Sequence, residues 1–133
     1  MQILTTILAI LCVVVLAAMA YVRFTPVSAE AGKGRPSEQA VGSYASEGGH
    51  YEVVSAENFD RERLEAAILN HPRSERLADG VYATRTAIWA FPDIIHVWEG
   101  TDTLHIAAHL VYGRKDLGMN RARVESWLEA ARR

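Results

Sequence analysis

The fold is decided by residues 94–106, which have the sequence Ile-Ile-His-Val-Trp-Glu-Gly-Thr-Asp-Thr-Leu-His-Ile. Apolar and β-branched residues are frequent in both halves of this stretch, and Glu99-Gly100-Thr101-Asp102 between them has the composition of a turn. Two such runs around a short turn favour neighbouring antiparallel strands. We therefore predict a β-hairpin whose second strand extends towards Tyr112.

Side-chain alternation predicts the register of this hairpin. If Glu99 faces Asp102, Val97 faces Leu104 on one face of the sheet. A slip of one residue would place apolar side chains opposite histidines, which disfavours it. The opposite face then carries the pairs Trp98–Thr103, His96–His105 and Ile94–Ala107. We expect this second face to be partly exposed.

The residues around the hairpin predict one small domain over residues 50–133. Short strands are expected at 51–55 and 75–78, before and after a helical pattern. Strands that precede, separate and follow helices are typical of an α+β fold. The predicted architecture is an antiparallel sheet of four or five strands packed by helices.

Two helices are predicted in this domain. The first begins after an N-cap at Asn58 and ends before Pro72, because the residue before a proline avoids the helical conformation. The second begins at Asn120, also predicted as an N-cap, and runs towards the end of the chain. Their apolar stripes are expected to cover one face of the sheet.

An uncharged run precedes the domain. Residues 3–22 are apolar apart from Thr5, Thr6 and Tyr21, and as a helix they cover the roughly 30 Å hydrocarbon core of a bilayer. We expect residues 1–23 to be a transmembrane anchor that contacts lipid through residues 3–22. A cleaved signal peptide is the alternative, since Ala18-Met19-Ala20 resembles a cleavage site. The length of the run and the lack of a preceding basic residue favour the anchor.

Residues 24–49 are predicted to be a flexible linker. They contain two prolines and five of the nine glycines, and they show neither helical nor strand periodicity. If part of the linker packs on the domain, Val41 and Tyr44 are the expected contacts. The basic residues that follow the apolar run favour a cytoplasmic domain by the positive-inside rule, and a domain on the other side of the membrane is the alternative.

Composition excludes several classes of function. The chain has 133 residues and a net charge of −2, which argues against nucleic-acid binding. Its single cysteine, Cys12, lies in the apolar run, so there is no disulfide framework and no Cys-rich zinc site. Phosphate-binding loops, nucleophile elbows and His-Glu-x-x-His motifs are absent from the sequence. We therefore predict no cofactor and no metal, and the sequence motifs indicate no particular reaction.

The histidines are the main candidates for chemistry. His96 and His105 are predicted cross-strand neighbours and could hold one ion, with Asp93 or Glu99 near in sequence. Zinc requires three or four ligands, and no spacing here matches a metal signature. A metal-assisted hydrolase is therefore the alternative, and a polar, partly exposed sheet face is the preferred interpretation.

Two segments of the C-terminal half carry a family resemblance. The first is Tyr82-Ala83-Thr84-Arg85-Thr86 followed by Phe91-Pro92-Asp93, and the second is Gly113-Arg114-Lys115-Asp116-Leu117-Gly118-Met119-Asn120-Arg121-Ala122-Arg123-Val124. They resemble the signatures of a bacterial membrane-anchored family of uncharacterised proteins, domain of unknown function 1499. The resemblance covers about residues 50–133. It implies a single-pass protein of the bacterial inner membrane, with a helix, a linker and a small domain.

The resemblance also selects residues for attention. They are Arg85, Asp93, Asp116, Asn120 and Arg123. We expect Asp116 and Asn120 to end a strand and cap the last helix, and Arg85 to pair with a carboxylate such as Asp93 or Asp116. The sequence departs from the family pattern at Ala90 and Lys115, where the family has Gly and Ser.

These observations lead to one preferred hypothesis and two alternatives. The preferred function is a non-enzymatic, membrane-tethered module that binds a protein partner or an apolar ligand. Its candidate binding residues are Arg85, Asp93, His96, Trp98, His105, Asp116, Asn120 and Arg123. The alternatives are the hydrolase and an accessory subunit of a larger membrane complex, in which the helix itself binds a membrane protein partner.

Overall fold

The computed structural model describes all residues, 1–133, and contains three helices and six strands. The helices are α1 Gln2–Phe24, α2 Arg61–Asn70 and α3 Met119–Ala131. The strands are β1 Gly42–Ser46, β2 Gly49–Ser55, β3 Ser74–Ala78, β4 Val81–Arg85, β5 Pro92–Gly100 and β6 Thr103–Leu110. The predicted α+β class is therefore confirmed.

All strands form one antiparallel sheet with the order β1-β2-β6-β5-β4-β3. The predicted number of four or five strands is wrong, because β1 adds a sixth from within residues 24–49. Its Gly-Ser-Tyr-Ala-Ser sequence lacks alternating apolar residues, so strand propensity gives little signal. The strand pairs with β2 through a hairpin, in which Tyr44 lies opposite Tyr51.

The hairpin of β5 and β6 forms, but its predicted register is wrong by two residues. Trp98, not His96, lies opposite His105, and Glu99 lies opposite Leu104 rather than Asp102. In this register the carboxylates of Glu99 and Asp102 do not lie opposite each other. Asp102 instead lies in the turn with a φ of 55°, a left-handed conformation that Asp tolerates. Because the shift is even, each side chain keeps its predicted face.

Helices α2 and α3 cover one face of the sheet, the helix face. Leu64 and Ile68 of α2 and Val124 and Trp127 of α3 pack with the apolar side chains of β4, β5 and β6, among them Ile95. Burial of such side chains contributes about 1.5–3 kcal/mol each. This layer is the main core of the domain.

The predicted helix caps are wrong in detail. Asp60, not Asn58, precedes α2, and its carboxylate accepts a hydrogen bond from the amide of Arg63 at 3.0 Å. Asn120 is not the N-cap of α3 but is buried in its first turn. Asp116 does not end a strand, since β6 stops at Leu110, but its carboxylate accepts hydrogen bonds from the amides of Gly118 and Asn120 at the start of α3.

The other face of the sheet is covered by residues 25–41, which we call the strap. The guanidinium of Arg35 lies 4.6 Å from the ring centre of Trp98, and the amide of Gln39 donates to the Tyr51 hydroxyl at 3.2 Å. Gly32 approaches the ring of His109 so closely that a Cβ at this position would lie 2.6 Å from the ring. The strap therefore contacts the three central strands β2, β6 and β5 on this face.

Helix α1 has no buried residues, and the mean hydropathy of its most apolar 18 residues is 2.9. Its length and composition are sufficient to cross a membrane, and a signal sequence has the same properties.

Candidate functional site

The histidine and tryptophan face is buried rather than partly exposed. His96, Trp98 and His105 retain 7%, 5% and 1% of their accessible surface. The expectation of an open binding face is wrong because the strap, which lacks any periodicity, lies over these strands. Access to this face requires a gap in the strap or its displacement.

His105 is fixed by its neighbours. Its Nδ1 lies 2.7 Å from the hydroxyl of Tyr51 and its Nε2 lies 2.8 Å from the hydroxyl of Thr103. The ring stacks on Trp98 at 4.9 Å between ring centres. Both nitrogens are therefore engaged, and metal binding by His105 would break one of these hydrogen bonds.

The residues of the hydrolase alternative do not meet. His96 and His105 lie on the strap face, whereas Asp93 and Glu99 lie on the helix face, because neighbouring positions on a strand alternate. No group of three His, Cys, Asp or Glu side chains is placed to hold a metal ion. The geometry gives this alternative no support.

His96 is the most perturbed titratable group in the domain. Burial lowers the pKa of His96 to about 4, and the neighbouring His109 and Arg35 act in the same direction. The two histidine rings lie 5.7 Å apart, and Nε2 of His96 has no hydrogen-bond partner. His96 is therefore a neutral imidazole at pH 7.

Most of the resemblance residues form a different cluster, on the helix face at the start of β5. Arg123 of α3 donates to Asp93 Oδ2 at 2.6 Å, and only 1% of Asp93 is exposed. Burial raises the pKa of Asp93, and the Arg123 guanidinium opposes that rise. The pair fixes the start of α3 against β5.

Asn120 lies beside this ion pair as a buried polar residue. Its amide lies close enough to the Asp93 carboxyl to lower the pKa of that group, but neither its side-chain nitrogen nor its side-chain oxygen makes a well-formed hydrogen bond, and Asp93 Oδ1 also lacks one. Buried polar atoms of this kind carry a desolvation penalty of about 1–3 kcal/mol each. Asp93, Asn120 and Arg123 are thus brought together, with Asp116 at the adjoining cap.

Arg85 is not part of that cluster. The expectation that it pairs with Asp93 or Asp116 is wrong, because its side chain points to the strap face. It donates to the backbone carbonyls of Val22 at 2.9 Å, Thr25 at 2.7 Å and Ala90 at 3.0 Å. Arg85 therefore joins the end of α1 to the domain.

Sequence reasoning missed a groove of about 320 Å³ between the strap and the sheet. Its walls include Gly34 and Pro36 of the strap, Tyr44 of β1, and Tyr51 and His109 of the sheet. The cross-strand tyrosines are 5.5 Å apart between ring centres. The pair Gly48-Gly49 could have predicted this part of the groove, because it indicates a hairpin turn that places Tyr44 and Tyr51 on neighbouring strands.

No family model, curated protein or solved structure matches this chain. The resemblance to domain of unknown function 1499 therefore stays a prediction.

Proposed function

We propose that this chain is a membrane-tethered, non-enzymatic binding module that takes a small apolar or aromatic ligand in the groove between the strap and the sheet. The groove supports this proposal by its size and lining. Its volume of about 320 Å³ lies at the lower end of the range for small-molecule sites, roughly 300–1,000 Å³.

The lining suits a flat apolar ligand with one polar atom. Tyr44 and Tyr51 offer aromatic surface on one side, and the small side chain of Ala107 leaves room against the sheet. His109 also lines the groove, and its buried Nε2 has no hydrogen-bond partner. A ligand atom bonded to this nitrogen would satisfy it, as buried polar groups require.

The tether gives such a module its setting. Helix α1 is long and apolar enough to span a bilayer, and Arg85 holds its end against the domain. Apolar molecules concentrate in a bilayer, so a domain held at its surface meets them at raised local concentration. Attachment to a membrane would therefore increase the occupancy of a groove that binds apolar molecules.

The experiment is a titration of the full chain in lipid nanodiscs with indole as the probe, followed by alanine-methyl NMR. We expect the Ala107 methyl signal to shift and saturate. Ala107→Leu fills the floor of the groove and should abolish the saturable shift in neighbouring signals. Ala66→Leu, on the exposed surface of α2, is the matched control and should bind as the parent does.

Two results would contradict the proposal. One is a shift that grows linearly with indole and never saturates. The other is equal binding by the Ala107→Leu and Ala66→Leu variants, provided that thermal unfolding shows both to be folded.

A further inference from the structure

Exposed apolar side chains are concentrated at one end of the sheet. Eight large apolar residues after position 40 are exposed. Val41 and Leu69 are isolated from the rest in sequence. The other six lie in the β4–β5 loop, residues 86–91, and in the segment from the end of β6 to the first residue of α3, residues 111–119, which together we call the apolar end. They are Ile88, Trp89, Phe91, Tyr112, Leu117 and Met119.

The two loops form one connected patch. The rings of Trp89 and Phe91 stack at 5.9 Å between centres, and Phe91 lies 6.0 Å from Tyr112 of the second loop. An exposed, connected apolar surface of this kind marks an interaction site in soluble domains.

Leu117 gives an independent indication. It is 96% exposed and has a φ of 55°, a left-handed conformation that is unfavourable for a leucine. Within the domain this side chain has almost nothing to pack against. A strained, fully exposed apolar residue at a loop tip is explained if the side chain is buried by something outside the chain.

The apolar end lies beside the last turn of α1. Arg85, at the end of β4, donates to the carbonyls of Val22 and Thr25. Arg23 of α1 lies within 3.4 Å of the carbonyl oxygens of Ala87 and Ile88 in the β4–β5 loop. If residues 3–22 fill the roughly 30 Å hydrocarbon core, Val22 lies at its boundary and the β4–β5 loop lies at the same depth.

The residue types also match a bilayer surface. Tryptophan and tyrosine are enriched at the interface between hydrocarbon and water, and lysine and arginine favour the headgroup region. Trp89 and Tyr112 supply the aromatic rings, and Arg23, Arg114 and Lys115 supply positive charge around them. These types, placed beside a spanning helix, favour lipid over a protein partner.

We propose that the apolar end docks the domain in the interface of the bilayer that α1 spans, with Leu117 and Ile88 inserted among the lipids. This proposal rests on the membrane tether of the proposed function. It adds a fixed orientation, in which β4 and β6 approach the membrane with their C-terminal ends.

The test uses the full chain in lipid vesicles with one environment-sensitive fluorophore attached to a cysteine and nitroxide-labelled lipids as quenchers. Native Cys12, inside α1, reports on the tether. Leu117→Cys in a Cys12→Ser background reports on the apolar end. Thr101→Cys in the same background, in the exposed turn at the opposite end of the sheet, is the matched control.

We expect strong quenching at position 12, several-fold stronger quenching at position 117 than at position 101, and a blue-shifted emission at position 117. Adding Ile88→Ser and Trp89→Ser to the position-117 chain should reduce its quenching. Quenching should not change as the protein-to-lipid ratio is lowered.

Each contrary outcome has a separate meaning. Strong quenching at 12 with equal, weak quenching at 117 and 101 overturns the docking and leaves the tether intact. Weak quenching at all three positions overturns the tether and the docking together. A blue shift at position 117 that is lost when the protein is diluted in lipid overturns lipid docking, because a second copy of the chain then covers the loops.

Discussion

The buried imidazole of His96 predicts a loss of stability in mild acid. The strap and β6 keep the ring away from water, and the groups that face it are His109 from β6 and Arg35 from the strap, neither of which favours a proton. Its pKa is therefore about 4 in the folded protein, against an ordinary value of 6.5. Lowering the pH from 7 to 5 is the perturbation.

The sign follows from proton binding. Between pH 6.5 and pH 4 the unfolded chain binds a proton at His96 and the folded chain does not, so acid favours unfolding. A difference of this size reduces the free energy of unfolding by about 2 kcal/mol between pH 7 and pH 5, at 1.36 kcal/mol per unit of pKa. The loss begins below pH 6.5, the ordinary value, and is complete below about pH 4.

The assay is urea unfolding of the full chain in micelles, read by tryptophan fluorescence at pH 7 and pH 5. Burial also lowers the pKa of His71, His105 and His109, so the parent loses stability through several groups. His96→Leu isolates one of them, and the variant should lose about 2 kcal/mol less than the parent. The reasoning is refuted if parent and variant lose the same amount, or if NMR shows His96 titrating near 6.5 in the folded chain.

Three further substitutions test the structure, each by urea unfolding. Arg123→Ala leaves Asp93 buried without its partner and should lower the free energy of unfolding by about 3 kcal/mol. Arg121→Ala, which removes an exposed pair, is the control and should leave it unchanged; equal effects would count against the buried pair. Gly80→Ala should lower it by about 2 kcal/mol, since φ is 66° and a Cβ collides with a carbonyl oxygen of β5, and an unchanged midpoint would contradict this. Leu117→Gly should raise it by up to about 1 kcal/mol by relieving a left-handed leucine, and an equal gain from Leu117→Ala would argue against backbone strain as the cause.

Regular patterns in the sequence predicted the parts of the fold that local rules control. The β5–β6 hairpin, the turn at Asp79-Gly80 and the end of α2 before Pro72 all follow from periodicity and from turn residues. The predicted faces of β5 were also correct, because alternation survives an even register shift. The register itself depended on one backbone conformation, at Asp102, which composition does not specify.

The strap could not be predicted in the same way. It has no repeating pattern, and its contacts are single events such as Arg35 over Trp98 and Gly32 against His109. Long-range contacts of this kind leave no local signal in one sequence. The same reason explains why Arg85 was assigned a carboxylate partner, since two of the three carbonyls that it contacts belong to residues about 60 positions earlier.

Sheet order has a consequence for how the protein is made. Strand β2 has only two neighbours, β1 and β6, and β6 is synthesised 48 residues after the end of β2, from Ser55 to Thr103. Helix α1 and the strap leave the ribosome long before that. The strap and the β1–β2 hairpin must therefore wait, unpaired on one side, until β5 and β6 emerge, so the sheet closes only when nearly the whole chain has been made.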